Sequence, residues 1–413
     1  MNIDLPFHKA WLEEAEHCEI TDTLNSGWLT TGPKTKSFEE AFCNYIGCKH
    51  AIALNSCTAG LNLALAMHDF PEGDEVITTP MTFPATANVV ILQKMKPVLV
   101  DIEPGTLLID PKKIEEKITS RTRAIIPVHF SGHPCDMDAI MDISRRHGIP
   151  VIEDCSQAHL AEYKGQLVGT IGDIAAYSLG GKTLTTDQGG MVITNNPELG
   201  RRSVGFTRKG SEMDETLTEM LGPTSYRWGS SRGYAFLGTH SPMTDLEAAV
   251  GLAQIARWDD ATQARRTAAA IIDEALYELP GIHIQEVQQG NRSSYYTYGY
   301  RVDEEQAGVS TEQFAKAVKA EGIPDCNGAY IRGLPLYKYP LFAEEHTYGD
   351  SRYPFVDENG VRRVDYKNLH LPNIEKYLAT TGTILFRNTF TEQDAHDIGI
   401  ALRKVALYYS SQK

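Results

Sequence analysis

The chain has 413 residues, and 39 Lys and Arg against 54 Asp and Glu leave a net charge of −15 with an isoelectric point near 5.4. That field repels phosphate backbones and anionic bilayers, so neither nucleic acid nor a membrane is expected as the main partner. A local site for one phosphorylated small molecule stays open. At roughly 150 residues per domain the length predicts about two to three domains, enough for a sizeable core. The seven cysteines are odd in number, scattered and free of CxxC or zinc-finger spacing, so reduced thiols in a cytoplasmic protein and no metal site are expected. The opening MNIDLPFHKA lacks the basic and apolar regions of a signal peptide, and no run reaches the roughly 18 apolar residues of a spanning helix.

From about residue 50 to 200, short β-rich runs alternate with helix-length segments. Strands are predicted at 51–54, 75–79, 98–102, 124–129, 150–154, 174–178 and 191–195, with helices at 59–68, 85–93, 111–119 and 137–147. Runs such as AIIPV and PVIED are apolar on both alternations, as in a parallel sheet covered by helices on both faces. The expected fold is therefore an α/β doubly wound domain with a mostly parallel sheet and its ligand at the carboxyl ends of the strands. Beyond residue 245 the pattern mixes helices at 245–258, 263–279 and 311–321 with strands at 282–287, 295–302 and 383–387. A last helix starts after Thr391, with Gln393 nearby, and runs to about Tyr409. Residues 1–260 are read as a large domain and 261–413 as a smaller α+β one, with the Pro/Gly/Tyr-rich stretch 322–366 as a lid or substrate loop.

The segment AYSLGGKT (176–183) imitates a nucleotide-binding P-loop, but Ala176 replaces the first glycine and the residues after the lysine read as a turn into a strand. Lys182 itself, set among Gly180, Gly181, Thr183 and Thr185 between two strands, is oddly placed for a solvated charge. A desolvated lysine is what Schiff-base chemistry requires; a plain surface lysine is the alternative. Asp154 ends the apolar strand of VIEDCSQ (151–157), where a carboxylate can hold a pyridine nitrogen protonated or simply cap the next segment. NSCTAGL (55–61) places small residues at a helix N-terminus, either an anion site or an ordinary cap. In MTFP (81–84), Phe83 offers a ring face to a flat cofactor, or fills a core. A phosphate cradle, a stacking ring, an acid for a ring nitrogen and a Schiff-base lysine at the strand ends of one domain together point to pyridoxal 5'-phosphate (PLP).

On these blocks the sequence resembles the DegT/DnrJ/StrS sugar aminotransferases, which are fold type I PLP enzymes. The resemblance runs from GWLTTGP (27–33), SCTAGL (56–61) and GDEVITTPMTF (73–83) through PVH (127–129), IEDCSQAH (152–159) and GGMV (189–192) to MTDLEAAVGLAQ (243–254). It implies a keto sugar or cyclitol acceptor, glutamate or glutamine as amino donor, and a homodimer that shares its active sites. By resemblance Lys182 would carry the cofactor and shuttle a proton, and Asp154 would pair with the pyridinium nitrogen. Gln157 would contact the ring hydroxyl side, Phe83 would stack, and Cys57, Thr58 and Ala59 with Ser178 would bind the phosphate. The chain departs from the family in spacing Ser178 and Lys182 four apart instead of five, in reading DQGG (187–190) for GEGG, and in placing His240 where a partner-subunit Asn often stands. Two other functions share these features: a sugar dehydratase on the same scaffold, whose members typically replace the lysine with histidine, and a PLP-binding regulator without turnover. Tyr226, Arg227 and Trp228, within 211–232, line either an acceptor pocket or an exposed loop.

Overall fold

Short apolar strands with helices between them assemble into one central sheet in the computed structural model, which describes residues 10–209, 211–213, 232–234, 237–346, 349, 352, 355–356 and 365–412. The strands are β1 (His50–Leu54), β2 (Glu75–Thr78), β3 (Lys96–Leu99), β4 (Thr122–Ile126), β5 (Ile152–Asp154), β6 (Ile174–Ser178) and β7 (Gly190–Thr194). They run in the orders β1-β7-β6-β5 and β3-β2-β4, and the parallel pairs Ile125–Val151 and Val128–Asp154 join β4 to β5. All neighbours are parallel except β7, which is antiparallel to both β1 and β6. The reason is local: a parallel return needs a crossover, and the segment between Ser178 and Gly190 forms no helix, so the chain doubles back.

Period-two alternation splits the sheet's side chains between two cores. Ile125, Val151, Tyr177 and Met191 face one cluster, in which Phe38, Phe42 and Trp258 are packed. Their neighbours Ala124, Ile126, Ile152, Ala176 and Val192 face the other, with Leu61, Leu65 and Val90. Covering helices include α1 (Glu14–Ser26), α2 (Pro33–Ile46), α3 (Cys57–Ala66), α4 (Ala85–Leu92), α5 (Met137–His147) and α6 (Pro197–Thr207). The first two were not anticipated. The residues α1 buries are Glu16 and Thr23, so it shows no apolar stripe to read. The blocks GWLTTGP and MTDL meet at Asp245, whose buried carboxylate accepts from the amides of Gly32, Lys34 and Thr35 and from the Thr35 hydroxyl.

Two helices, α7 (Asp245–Ile255) and α8 (Trp258–Leu276), lead to a second sheet of β8 (Ile282–Ile284), β9 (Thr297–Val302), β10 (Cys326–Asn327) and β11 (Thr381–Leu385). It is antiparallel throughout, in the order β8-β9-β11-β10. With α8, α9 (Thr311–Ala320) and α10 (Glu392–Ser410) it encloses a third core around Tyr298, Tyr300, Phe314 and Phe386. The cap of α10 is a reciprocal pair of Thr391 and Asp394; Gln393 instead bonds Asp397. Where described, the 322–366 stretch holds short turns at Tyr330–Gly333, Leu336–Lys338 and Pro340–Ala343. Among the described residues no helix is long and apolar enough to cross a membrane.

Candidate active site

Asp154, 2% exposed, closes β5. Its Oδ2 accepts from the Thr86 hydroxyl at 2.8 Å and its Oδ1 from the Ser156 amide at 3.1 Å. Thr86 lies 2.7 Å from Thr82, so the first turn of α4 and the MTFP loop steady the acid from one side. Beside them the Phe83 ring is 68% exposed, which rules out the core-aromatic reading and leaves its face free. The adjacent Glu153 is fully buried and braces the same strand end. It binds His129 Nε2 at 3.0 Å and accepts from the amides of Gly169, Ile171 and Gly172 at 2.6–2.9 Å. Burial alone would raise its pKa, but the His129 and amide bonds outweigh it and hold the carboxyl below its usual range. His129 Nδ1 accepts from the Cys135 amide, so Nε2 carries the hydrogen given to Glu153. His129, Glu153 and Cys155 do gather within 4.8 Å, yet these bonds already occupy the His and Glu atoms a metal would need.

The N-terminus of α3 opens next to this acid. Ser56 caps it, its Oγ accepting from the Ala59 amide at 3.1 Å, so Ala59 N–H is committed locally. The first-turn amides of Cys57 and Thr58 have no intrahelical partner, as at any helix start. A Cβ on Gly190 would fall 2.4–2.6 Å from backbone atoms of Ser56 and Cys57, so only glycine lets β7 abut this helix end. The segment carrying His240 runs alongside: Leu54 pairs with Pro242, and the Asn55 amide donates to Ser241 O. His240 itself is exposed. The Cys57 thiol is pushed well up, first by burial and then by the charge of Asp154, with Lys182 opposing. Asp154 and Lys182 thus both lie within electrostatic reach of Cys57.

Lys182 sits in the return between β6 and β7, and that turn is held from several sides. Thr185 Oγ1 donates to Leu179 O at 2.9 Å and accepts from the Gly181 amide at 3.1 Å. Ser178 Oγ accepts weakly from the Gly180 amide at 3.4 Å, while Ser178 O accepts from His159 Nε2 at 2.8 Å. Trp258 Nε1 donates to Thr183 Oγ1 at 3.1 Å. Asn388 Nδ2 reaches Lys182 O at 2.9 Å and Thr183 O at 3.2 Å, and Asn388 Oδ1 accepts from Arg265 Nη2 at 2.8 Å. Because a guanidinium only donates and a carbonyl only accepts, this pairing fixes the amide orientation without ambiguity. The Lys182 ammonium rests 3.7 Å above the Tyr296 ring centre, with the Arg265 guanidinium 5.9 Å from the same ring. Burial pushes Arg265 down to about 10 and, together with the nearby Lys182 charge, pushes His159 down to about 3. Gln157 Oε1, three residues beyond Asp154, accepts from the Ser131 amide at 2.9 Å.

The structure thus gathers Cys57, Asp154 and Lys182, keeps Phe83 exposed, and sets Thr58, Ser178, Gln157 and His240 on adjoining segments. Tyr226, Arg227 and Trp228 lie outside the described residues. Sequence reading missed Thr86, His159, Arg265, Tyr296 and Asn388. His159 stood inside a quoted block, and Thr86 one turn from Thr82, but Arg265 and Asn388 carry no local signal at all.

A model of the DegT/DnrJ/EryC1/StrS aminotransferase family matches residues 11–366, and the chain belongs to that family. It is 37% identical over 358 residues to the spore coat polysaccharide biosynthesis protein SpsC of Bacillus subtilis (strain 168), covering 85% of this chain and 88% of that protein. Among solved structures it resembles an aminotransferase from Psychrobacter cryohalolentis, with a TM-score of 0.84, 28% identity and coverage of 97% and 99% of the two chains. It also resembles S. venezuelae DesV in complex with a ketimine intermediate, with a TM-score of 0.79, 27% identity and coverage of 95% and 94%.

Proposed function

From membership of this aminotransferase family as premise, we propose that the chain binds PLP and transfers an amino group from glutamate or glutamine to a keto sugar or cyclitol ketone. The observation that carries the reading is that Asp154 and Lys182 both act electrostatically on Cys57 at the α3 N-terminus, while the Phe83 ring stays exposed. These residues fit the cofactor: a buried acid at a strand end, a glycine-lined helix start and a lysine on an aromatic ring. When bound, PLP supplies the carbonyl that lysine and substrate amines attack and the ring that withdraws electrons.

The protein's share is positioning and proton handling. Asp154, supported by the Thr86 hydroxyl, would pair with the ring nitrogen and favour its protonated form. The amides of Cys57 and Thr58, helped by the α3 dipole and by Ser178, would hold the phosphate, while the Ala59 amide is engaged in its own cap. Phe83 would stack on the ring. Gln157 would contact the hydroxyl side of the ring, Lys182 would hold the cofactor and shuttle a proton, and His240 is a further residue that would contact the cofactor. The negative overall charge does not oppose phosphate binding, since backbone amides need no net positive charge. SpsC belongs by its name to spore coat polysaccharide biosynthesis, which supports a sugar-derived acceptor. We also propose a cytoplasmic homodimer of a large domain, 1–260, and a smaller one, 261–413. The exposed apolar Leu12, Leu24, Trp28 and Leu29 near the N-terminus favour the dimer.

Lys182→Ala is expected to abolish both the visible absorption band of the PLP-loaded protein and turnover. An unchanged spectrum sinks the assignment. Mixing the PLP form with glutamate or glutamine, then offering free and nucleotide-linked keto sugars, identifies donor and acceptor. Failure to form pyridoxamine phosphate with any donor points to a non-catalytic binder.

A further inference from the structure

Ser131 is a serine in a left-handed conformation, φ 61° and ψ 10°, in the buried turn Phe130–Gly132 that follows the PVH block. Non-glycine residues pay to adopt this geometry, and such outliers persist only where neighbours enforce them. Here the neighbours come from the other half of the chain. Ser131 Oγ donates to Thr297 O at 2.9 Å, since a carbonyl can only accept, and bonds the Tyr330 hydroxyl at 2.8 Å. Thr297 Oγ1 meets both Ser131 Oγ and, at 2.9 Å, the Tyr330 hydroxyl. All three side chains are buried, and burial lifts the Tyr330 phenol to about 12, so it remains a donor at any working pH. Gly132 closes the joint: a Cβ there would fall 2.7 Å from the Tyr295 amide, and the Tyr296 amide donates to Ser131 O at 3.0 Å.

The link from this device to the Asp154 segment is one backbone N–H, that of Ser131, bonded to Gln157. The Ser131 amide can only donate, so it captures the oxygen end of the Gln157 side chain at 2.9 Å and turns the NH2 end away from itself. Gln157 lies three residues beyond Asp154, on the segment leaving the strand end, and is only partly buried. We infer that Ser131, locked by Thr297 and Tyr330, is a positioning residue that fixes Gln157 with its Nε2 offered to the hydroxyl-bearing edge of the pyridoxal ring. The inference rests on the PLP reading above, and it makes the ring's orientation depend on contacts between the two sheets.

The test measures PLP affinity and the pH titration of the visible band in the loaded protein for the wild type, Gln157→Ala, Tyr330→Phe, Ser131→Gly and the Gln157→Ala/Tyr330→Phe double variant. Gln157→Ala is expected to weaken PLP about tenfold, the scale of one lost hydrogen bond to a charged oxygen. It should also move the band's midpoint to higher pH, because the lost donor favoured the unprotonated form. Tyr330→Phe should do the same to a smaller extent, about threefold. Ser131→Gly keeps the N–H and removes the backbone strain, so it should fold well and match Tyr330→Phe. The double variant should be no weaker than Gln157→Ala, because both act through one contact. Losses that multiply in the double variant, or single variants at Ser131 and Tyr330 with wild-type affinity and titration, overturn the inference. A wild-type protein that shows no visible band with PLP overturns the cofactor reading itself, and this inference with it.

Discussion

The two sides of the site are built in opposite ways. The acid side stays within the central sheet's own layers: Asp154 is held by Thr86 of α4 and by Ser156 just past β5, and Ser56 caps α3. The lysine turn, braced locally by Thr185, is also anchored from outside the sheet by Trp258, by Asn388 and, behind Asn388, by Arg265. An acid at a strand end needs only the geometry of that strand. A lysine that must shift between partners needs a flexible side chain on an immobile backbone, and remote anchors supply the second without restricting the first.

The sharpest break in this contrast is on the acid side. Asp154→Ala removes a group that would act on the cofactor directly, so kcat should fall by about 10²–10³ or more with the melting temperature little changed. Steady-state kinetics beside calorimetry would show it, and a fall below tenfold would deny Asp154 its role. On the lysine side the order reverses. Asn388→Ala strips the amide from the Lys182 and Thr183 carbonyls and leaves Arg265 without its best acceptor, so a stability loss of about 1–3 kcal/mol is expected in denaturant melts.

A third effect comes from acid. His133 and His159 are buried and held down to about 3, His133 by burial alone. Their folded pKa values lie below the unfolded value of about 6.5, so between these limits the unfolded chain binds more protons and stability falls as pH drops. Each contributes a slope of up to about 1.4 kcal/mol per pH unit. His159→Gln should flatten the curve by one proton's worth between pH 6 and 4 in urea melts; an unaltered slope would show that His159 is not held neutral. Smallest of all is Thr86→Val, which removes one hydroxyl from the Asp154 carboxylate and should cost about 3–10-fold in kcat with little change in KM.

Much of this molecule could be read before folding it. Strands at 174–178 and 137–147 as a helix coincide with β6 and α5, because buried runs and an amphipathic stripe are local properties. The helix expected at 111–119 stops at Glu115, and the single helix expected at 245–258 ends at Ile255, since backbone geometry at a terminus depends on what it packs against. α1 escaped notice because the contacts of its buried Glu16 with Gln254 and Arg257 are polar and distant.

The sequence alone set a strand-end acid, a small-residue helix start and a glycine-flanked lysine at the strand ends of one domain, ambiguous singly but jointly pointing to one class of chemistry. Only the tertiary structure decided how those groups are held. The sense of β7, the anchoring of Lys182 by Asn388, and the coupling of Ser131 to Thr297 and Tyr330 join residues up to about two hundred positions apart. A hydrogen bond between such residues leaves no periodicity and no spacing in the chain. Its partners become neighbours only when the buried faces of the two sheets close on their cores.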